Sequence, residues 1–208
     1  MIVVVVLIAG VLIPVIGASK SKSQRIACIG NLKQIGLAKR QAEINRDRSS
    51  SVIKTDRHEL DVDIVQLWQL LLGQTNGWGT PQLLWCPADT QRHPAAAFRS
   101  NAVDSKAVVF ATGANLSYFL GPRPVDLNPQ AILAGDRNLT TNGVALGPGR
   151  HSIPLGTIVG FSEQLHRFTG NVLLGDGSVQ QGSNGRIKEM FQEVPHPGRP
   201  MTNFWLIP

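Results

Sequence analysis

Residues 2–18 read IVVVVLIAGVLIPVIGA, and residues 19–48, which follow, read SKSKSQRIACIGNLKQIGLAKRQAEINRDR. The first stretch contains no charged or strongly polar side chain. As a helix rising ~1.5 Å per residue, its roughly 17 residues span roughly 25 Å, the lower limit for crossing a bilayer. A helix buried in a globular core would carry polar positions at intervals, and none occurs here. A cleavable signal peptide is the rival reading, because Ile16-Gly17-Ala18 offers a small-residue cleavage site. Against it, no basic region precedes the apolar run, and the positive charges follow it. Pro14 would kink a helix, which a membrane helix tolerates where neighbours satisfy the freed carbonyl. The second stretch is amphipathic: Ile26, Ile29, Leu32 and Ile35 recur at intervals of three, continued by Ala38 and Ala42, while Lys33, Lys39 and Arg40 fall elsewhere on the circumference. The two stretches together predict one helix of roughly 45 residues, about 65 Å long, embedded at its start and packed on a domain at its end.

Charge agrees with that division. Lys20 to Arg48 hold eight basic residues against Glu43 and Asp47, an excess equal to the net charge of +6 of the whole 208-residue chain. A pI near 9.8 would ordinarily point to nucleic acid. A basic stretch directly after an apolar segment, with no aromatic residue interleaved, instead reads as a flank attracted to anionic lipid heads. A mean hydropathy near zero leaves the remainder an ordinary globular composition with room for one core.

Beyond a polar connection from Arg46 to Arg57, Asp61 or Asp63 can cap a short helix with Val62, Val65, Trp68 and Leu72 on one face, ended by Gly73. Short β-type runs follow at Leu83–Trp85, Ala107–Ala111, Ser117–Leu120, Ala131–Ala134 and Val172–Leu174, and their turn-rich spacing predicts an antiparallel sheet. Ile187, Met190, Phe191 and Val194, spaced i, i+3, i+4 and i+7, predict a last helix with Ser183 or Asn184 as cap and Pro195 as stop. The class is α+β. Residues 1–18 form the apolar half of the N-terminal helix, 19–48 its amphipathic half, and 49–208 the globular domain. Trp68, Trp78, Trp85 and Trp205 are read as core or interface aromatics.

Candidate chemistry is sparse. No nucleophile elbow, His-Glu-x-x-His, phosphate-binding loop or dinucleotide glycine pattern occurs. His166 and Asp176 invite a catalytic reading, with Asp136 as a third member. The structural reading of Asp176-Gly177 is a two-residue hairpin turn in which Gly177 takes positive φ, with the His166 ring packing or hydrogen-bonding near that turn. Gly135-Asp136-Arg137-Asn138 reads as a turn whose Asp and Asn side chains bond nearby backbone amides. Cys28 and Cys86 either form a disulfide stapling helix to sheet, worth about 3 to 4 kcal/mol, or remain two buried thiols; both readings stay open.

Several of these segments together resemble one family. Cys28, Asn31, Leu32, Lys33, Gln34, Ile35, Gly36 and Leu37 match a C-x-x-N-L-K-Q-I-G-L pattern, and Cys86-Pro87-Ala88-Asp89-Thr90 is similar to C-P-[SA]-D-T. Asn115-Leu116-Ser117-Tyr118-Phe119 is similar to N-x-S-Y-F, Gly135 to Asn138 to G-D-R-N, and nine residues separate His166 from Asp176-Gly177. The ending Phe204 to Pro208 is similar to R-L-x-I-P. These resemble type IV pilin-like, type II secretion pseudopilin-like proteins of the Verrucomicrobia–Planctomycetes type. The resemblance implies a pilin-like fold, with the long helix packed on a small antiparallel sheet domain carrying short extra helices. It implies a structural subunit of a type II secretion or type IV pilus-like filament, anchored by a single pass in the inner membrane before assembly, with its domain in the periplasm or on an extracytoplasmic filament. Partners would be other pilin subunits, through the N-terminal helix, and membrane lipid, with no nucleic acid, no cofactor and no catalytic residue. The family's basic leader and Gly-Phe-Thr-Leu-Ile-Glu peptidase site do not occur, which leaves either a start upstream of Met1 or an unprocessed member. Calcium is the one ion the resemblance implies, through Asp136 and Asp176, although it needs six to eight oxygens. Three other functions remain: an anchored exported protein that does not assemble, a hydrolase using His166, Asp176 and Asp136, and a DNA-binding minor pilin using Lys20 to Arg48.

Overall fold

The computed structural model describes residues 19–41, 64, 68, 80–97, 112–121, 129–154, 156–192 and 202–208, the last stretch as backbone up to residue 206. The apolar segment 2–18, the Ala107–Ala111 run and most of the helix expected after Asp61 lie outside these residues. Among the described residues no helix is long and apolar enough to cross a membrane.

Helix α1 covers residues 19–41. Its buried stripe is Cys28, Leu32, Ile35 and Ala38: Leu32, Ile35 and Ala38 of the expected run lie in it, whereas Ile29 is half-buried, Ile26 is 60% exposed and Cys28 takes the place expected for them. At about 100° per residue, steps of three drift steadily backward, and nine residues place Ile26 on the face opposite Ile35. Steps of four and three, from Cys28 to Leu32 to Ile35, hold one face. Ile64 and Trp68 are helical, one turn apart, and buried against the same core.

The strands are β1 (Tyr118–Leu120), β2 (Ile132–Asp136), β3 (Leu139–Thr141), β4 (Val144–Ala145), β5 (Gly149–Pro154), β6 (Val159–Phe161), β7 (Thr169–Leu174), β8 (Val179–Ser183) and β9 (Thr202–Ile207). They build a six-stranded sheet in the order β5-β9-β1-β2-β7-β8 and a three-stranded sheet in the order β4-β3-β6. Neighbouring strands are antiparallel throughout. The class is therefore α+β with antiparallel sheets. Expected strands at 117–120, 131–134 and 172–174 fall on β1, β2 and β7. Leu83–Trp85 does not form a strand: Pro81–Leu84 is a 3-10 helix opened by Pro81, whose fixed φ suits a first helical position.

Alternation along the central strands sorts the core into two layers. Tyr118, Leu120 and Leu173 face α1, with Leu32, Ile35, Trp68 and the two cysteines. Phe119, Val172 and Leu174 face the other side, with Leu139, Val159 and Phe161 of the small sheet. Helix α2 (Asn184–Gln192) closes that second layer with Ile187, Met190 and Phe191, as their spacing predicts. Asn184, at its start, accepts the Phe161 N–H through Oδ1 at 2.6 Å and so joins α2 to β6.

Candidate functional site

Four segments distant in sequence converge beneath α1. Cys28 comes from the buried stripe of α1, Cys86 follows the 3-10 turn, Asp136 closes β2, and His166 sits in the loop before β7. Cys28 and Cys86 form a disulfide, with Cα atoms 5.1 Å apart. His166 Nε2 lies 3.5 Å from Cys86 Sγ and 3.5 Å from Asp136 Oδ2. All four are buried, His166 at 4% exposure and the other three at 0%.

Asp136 Oδ2 accepts from the Asn171 backbone N–H at 2.7 Å and from Asn171 Nδ2 at 2.9 Å, whereas Asp136 Oδ1 is buried without a hydrogen-bond partner. Burial pushes its carboxyl up to about 7, partly offset by the two Asn171 bonds. Burial, assisted by the Arg25 guanidinium, lowers His166 to about 4. The 3.5 Å separation alone would suit an ion pair. With both groups sealed from water, desolvation of two charges outweighs their attraction, and the pair is neutral between about pH 4 and 7.

The loop carrying His166 is unusual in its backbone. Leu165, Arg167 and Phe168 all take positive φ, at 59°, 52° and 58°. Such positions cost on the order of 1 kcal/mol or more each and persist only where surroundings over-determine them. Here Asn138 Nδ2 donates to Ser162 O and Gln164 O at 3.1 and 2.8 Å, Thr169 Oγ1 donates to His166 O at 2.6 Å, and Arg25 Nη2 donates to the same carbonyl at 3.2 Å. Asn138 therefore bonds carbonyls of a distant loop, which corrects the expectation that it caps amides nearby. The turn reading of Gly135 to Asn138 is also corrected: Gly135 and Asp136 belong to β2, and only Arg137 and Asn138 link it to β3. At Gly135 a Cβ would lie 2.7 Å from Phe119 Cε1 and 2.8 Å from Asn171 O, so no larger residue fits between those strands.

Arg137 joins two of the motifs. Its Nε and Nη2 donate to Asp89 Oδ2 and Oδ1 at 2.7 and 2.9 Å, and Nη2 also donates to Gln91 Oε1 at 2.9 Å. Asp89 Oδ1 accepts the Gln91 N–H at 3.1 Å in turn. Sequence reasoning missed this buried bidentate pair; a lone Asp and a lone Arg 48 residues apart carry no local signal of it.

Asp176 and Gly177 stand elsewhere. They form the exposed hairpin turn between β7 and β8, where Gly177 takes φ of 84° and Asp176 Oδ1 accepts the Ser178 N–H at 2.8 Å. Bonding to Ser178 lowers the Asp176 pKa. The loop has three residues rather than two, since the Leu174 N–H pairs with Ser178 O at 2.9 Å. His166 and Asp176 thus occupy opposite ends of β7, which corrects the expectation that the His166 ring lies near the turn. No dyad forms between them. Asp136 and Asp176 are likewise separated: Asp176 N–H donates to Pro129 O, just before β2, while Asp136 ends that strand. The oxygens of a shared calcium shell do not converge there.

No protein family, curated protein or solved structure matches the chain. What the arrangement offers is fastening chemistry. Gln24 Nε2 donates to Pro87 O and Asn31 Nδ2 to Trp85 O, both at 2.9 Å, so α1 is stitched to the Trp85–Pro87 segment by two side-chain bonds as well as the disulfide. At its far end the Arg40 guanidinium donates to Asp176 O and Gly175 O.

Proposed function

We propose that this chain is a pilin-like structural subunit, anchored in the inner membrane through residues 2–18 and working by assembly through its N-terminal helix, without a reaction of its own. One observation carries the reading. Helix α1 is fastened to the domain by one buried stripe, a disulfide and side-chain hydrogen bonds, while Ile26 and Leu37 on its outer surface stay 60% and 55% exposed. Eleven residues bring the helix round to nearly the same angle, so Ile26 and Leu37 share one side of α1, and packing against the same helix of a neighbouring subunit would bury both. The disulfide supports a domain outside the cytoplasm, where such bonds persist. His166 and Asp136, the assembled part of the hydrolase constellation, are sealed beneath α1, and the sulfur beside them is tied up in a disulfide and lacks a nucleophilic thiolate.

The test is photo-crosslinking of the full chain in lipid vesicles, with the reactive group at position 26 or 37. Covalent dimers and higher ladders are expected, reduced by Leu37→Lys when the reactive group is at position 26 and by Ile26→Lys when it is at position 37. Monomers alone at both positions would overturn assembly. Turnover of an ester, phosphate or glycoside that disappears in His166→Ala would overturn the non-enzymatic reading.

A further inference from the structure

The four side chains beneath α1 meet in a form that a structural disulfide does not require. Cys28 Sγ, Cys86 Sγ and His166 Nε2 all lie within 4.8 Å of one another, and Asp136 Oδ2 approaches the same imidazole nitrogen to 3.5 Å. We propose that reduction of the Cys28–Cys86 bond turns this cluster into a site for a thiophilic divalent cation, zinc by its ligand set, held by Cys28, Cys86, His166 and Asp136.

Geometry carries the inference. With metal–sulfur bonds of about 2.3 Å and metal–nitrogen or metal–oxygen bonds of about 2.0 to 2.1 Å, the corners of a tetrahedral zinc shell stand roughly 3.3 to 3.8 Å apart. The His166–Cys86 and His166–Asp136 edges, each 3.5 Å, already have that length. Two edges must change: the sulfurs part when the bond between them is reduced, and the Asp136 carboxylate, which stands beside His166 but outside the 4.8 Å cluster of the other three ligand atoms, turns inward to complete the shell. Two thiolates, an imidazole and a carboxylate are ligands that favour zinc over magnesium or calcium.

The surroundings meet the other needs of such a site. Asp136 is oriented by two bonds from Asn171 and still has a buried Oδ1 without a partner. A dication bound to two thiolates and a carboxylate leaves one net negative charge, which the nearby Arg25 guanidinium, bonded to His166 O and Thr169 Oγ1, offsets. Each ligand comes from a different fastened segment, so the constellation does not depend on one flexible loop.

The chemistry balances simply. A dithiol reductant supplies two electrons and two protons, the sulfur–sulfur bond breaks to give two thiols, and the reductant leaves as its own disulfide. Zinc then binds both sulfurs as thiolates and Asp136 as a carboxylate, and the two thiol protons and the carboxyl proton depart to solvent. The cation restores the covalent tie between α1 and the Trp85–Pro87 segment that reduction removes, so the domain has two interchangeable fasteners, one for each redox state.

The experiment uses the full chain in detergent micelles, oxidised or reduced with a phosphine, titrated with zinc alone and with cobalt as a spectroscopic probe. Expected are one zinc per reduced chain and none on the oxidised chain, with the visible bands and sulfur-to-cobalt charge transfer of tetrahedral thiolate coordination. His166→Gln should weaken binding roughly tenfold or more. If reduction loosens the fold, near-ultraviolet circular dichroism should return on adding zinc. No binding to the reduced chain, equal binding to the oxidised chain, unchanged affinity in His166→Gln, or a loosened fold that zinc does not restore would each overturn the site.

Discussion

The two ends of β7 belong to one sequence signature and live in opposite environments. Before the strand, His166 is 4% exposed, against a disulfide and a neutral carboxyl; after it, Asp176 is exposed on a hairpin turn. Yet both ends grip the same helix. Arg25 and Cys28 of α1 meet the His166 end, and Arg40 meets the Asp176 end. Fifteen residues of helix from Arg25 to Arg40 rise about 23 Å, and the strand from Thr169 to Gly175 advances about 20 Å. The nine-residue spacing therefore acts as a ruler: it sets a strand as long as the helix segment laid along it, with a fastener at each end. Residues that look like catalytic partners on paper are held apart by the strand between them.

The contrast can be broken most strongly at the buried end. Replacing Cys28 and Cys86 together by Ala should lower unfolding free energy by about 4 kcal/mol, the loop-closure value for a crosslink spanning 58 residues, read from denaturant midpoints.

Next comes pH. His166 titrates near 4 in the fold against its ordinary 6.5, so between those values the unfolded chain binds more protons and stability rises with pH. Asp136 titrates near 7 against 3.8, so there the folded chain binds more protons and stability falls as pH rises. Over the shared window, pH 4 to 6.5, the terms oppose: folding moves one proton from the imidazole to the carboxyl, and their combined slope is near zero. Asp136→Asn should unmask a rise of about 1.4 kcal/mol per pH unit, and His166→Gln a fall of similar size. Parallel profiles of the two variants in thermal melts between pH 4 and 6.5 would refute a proton exchange within the pair.

The exposed end should respond less. Gly177→Ala places a Cβ at φ of 84°, and its cost of about 1 to 2 kcal/mol should show as a lower melting temperature with an unchanged pH profile. Arg40→Ala removes an exposed contact to two carbonyls and should stay within about 0.5 kcal/mol. A larger loss than at Gly177 would make the helix clasp, rather than the turn, the reason for that end.

How much of this was legible follows from the range of each interaction. Helix α2, strands β1, β2 and β7 and the positive φ of Gly177 are written in local pattern, and local pattern predicts them. The docked face of α1 is legible at Leu32, Ile35 and Ala38 and fails at its start, because spacing by threes drifts off one face and carries Ile26 to the opposite side. Strands β3 and β4 were missed although Asn142-Gly143 between Thr141 and Val144, with φ of 50° and 82°, is a strong two-residue hairpin signal. Strand β5 gave less to read: Gly149–Pro154 is a mostly exposed edge with Ile153 its one buried residue. The meeting of Cys28, Cys86, Asp136 and His166 depends on sheet register, and no local rule supplies that.

Strand order has a consequence for how the domain is made. Strand β9 lies between β5 and β1, pairing Gly149–Pro154 on one side and Leu120 on the other. Until residues 202–207 emerge during synthesis, β1 and β5 each present an unpaired edge, and the large sheet stays split. The nascent chain therefore passes through a stage with two open strand edges, the condition under which chains pair with one another, and a holding chaperone would find its target there.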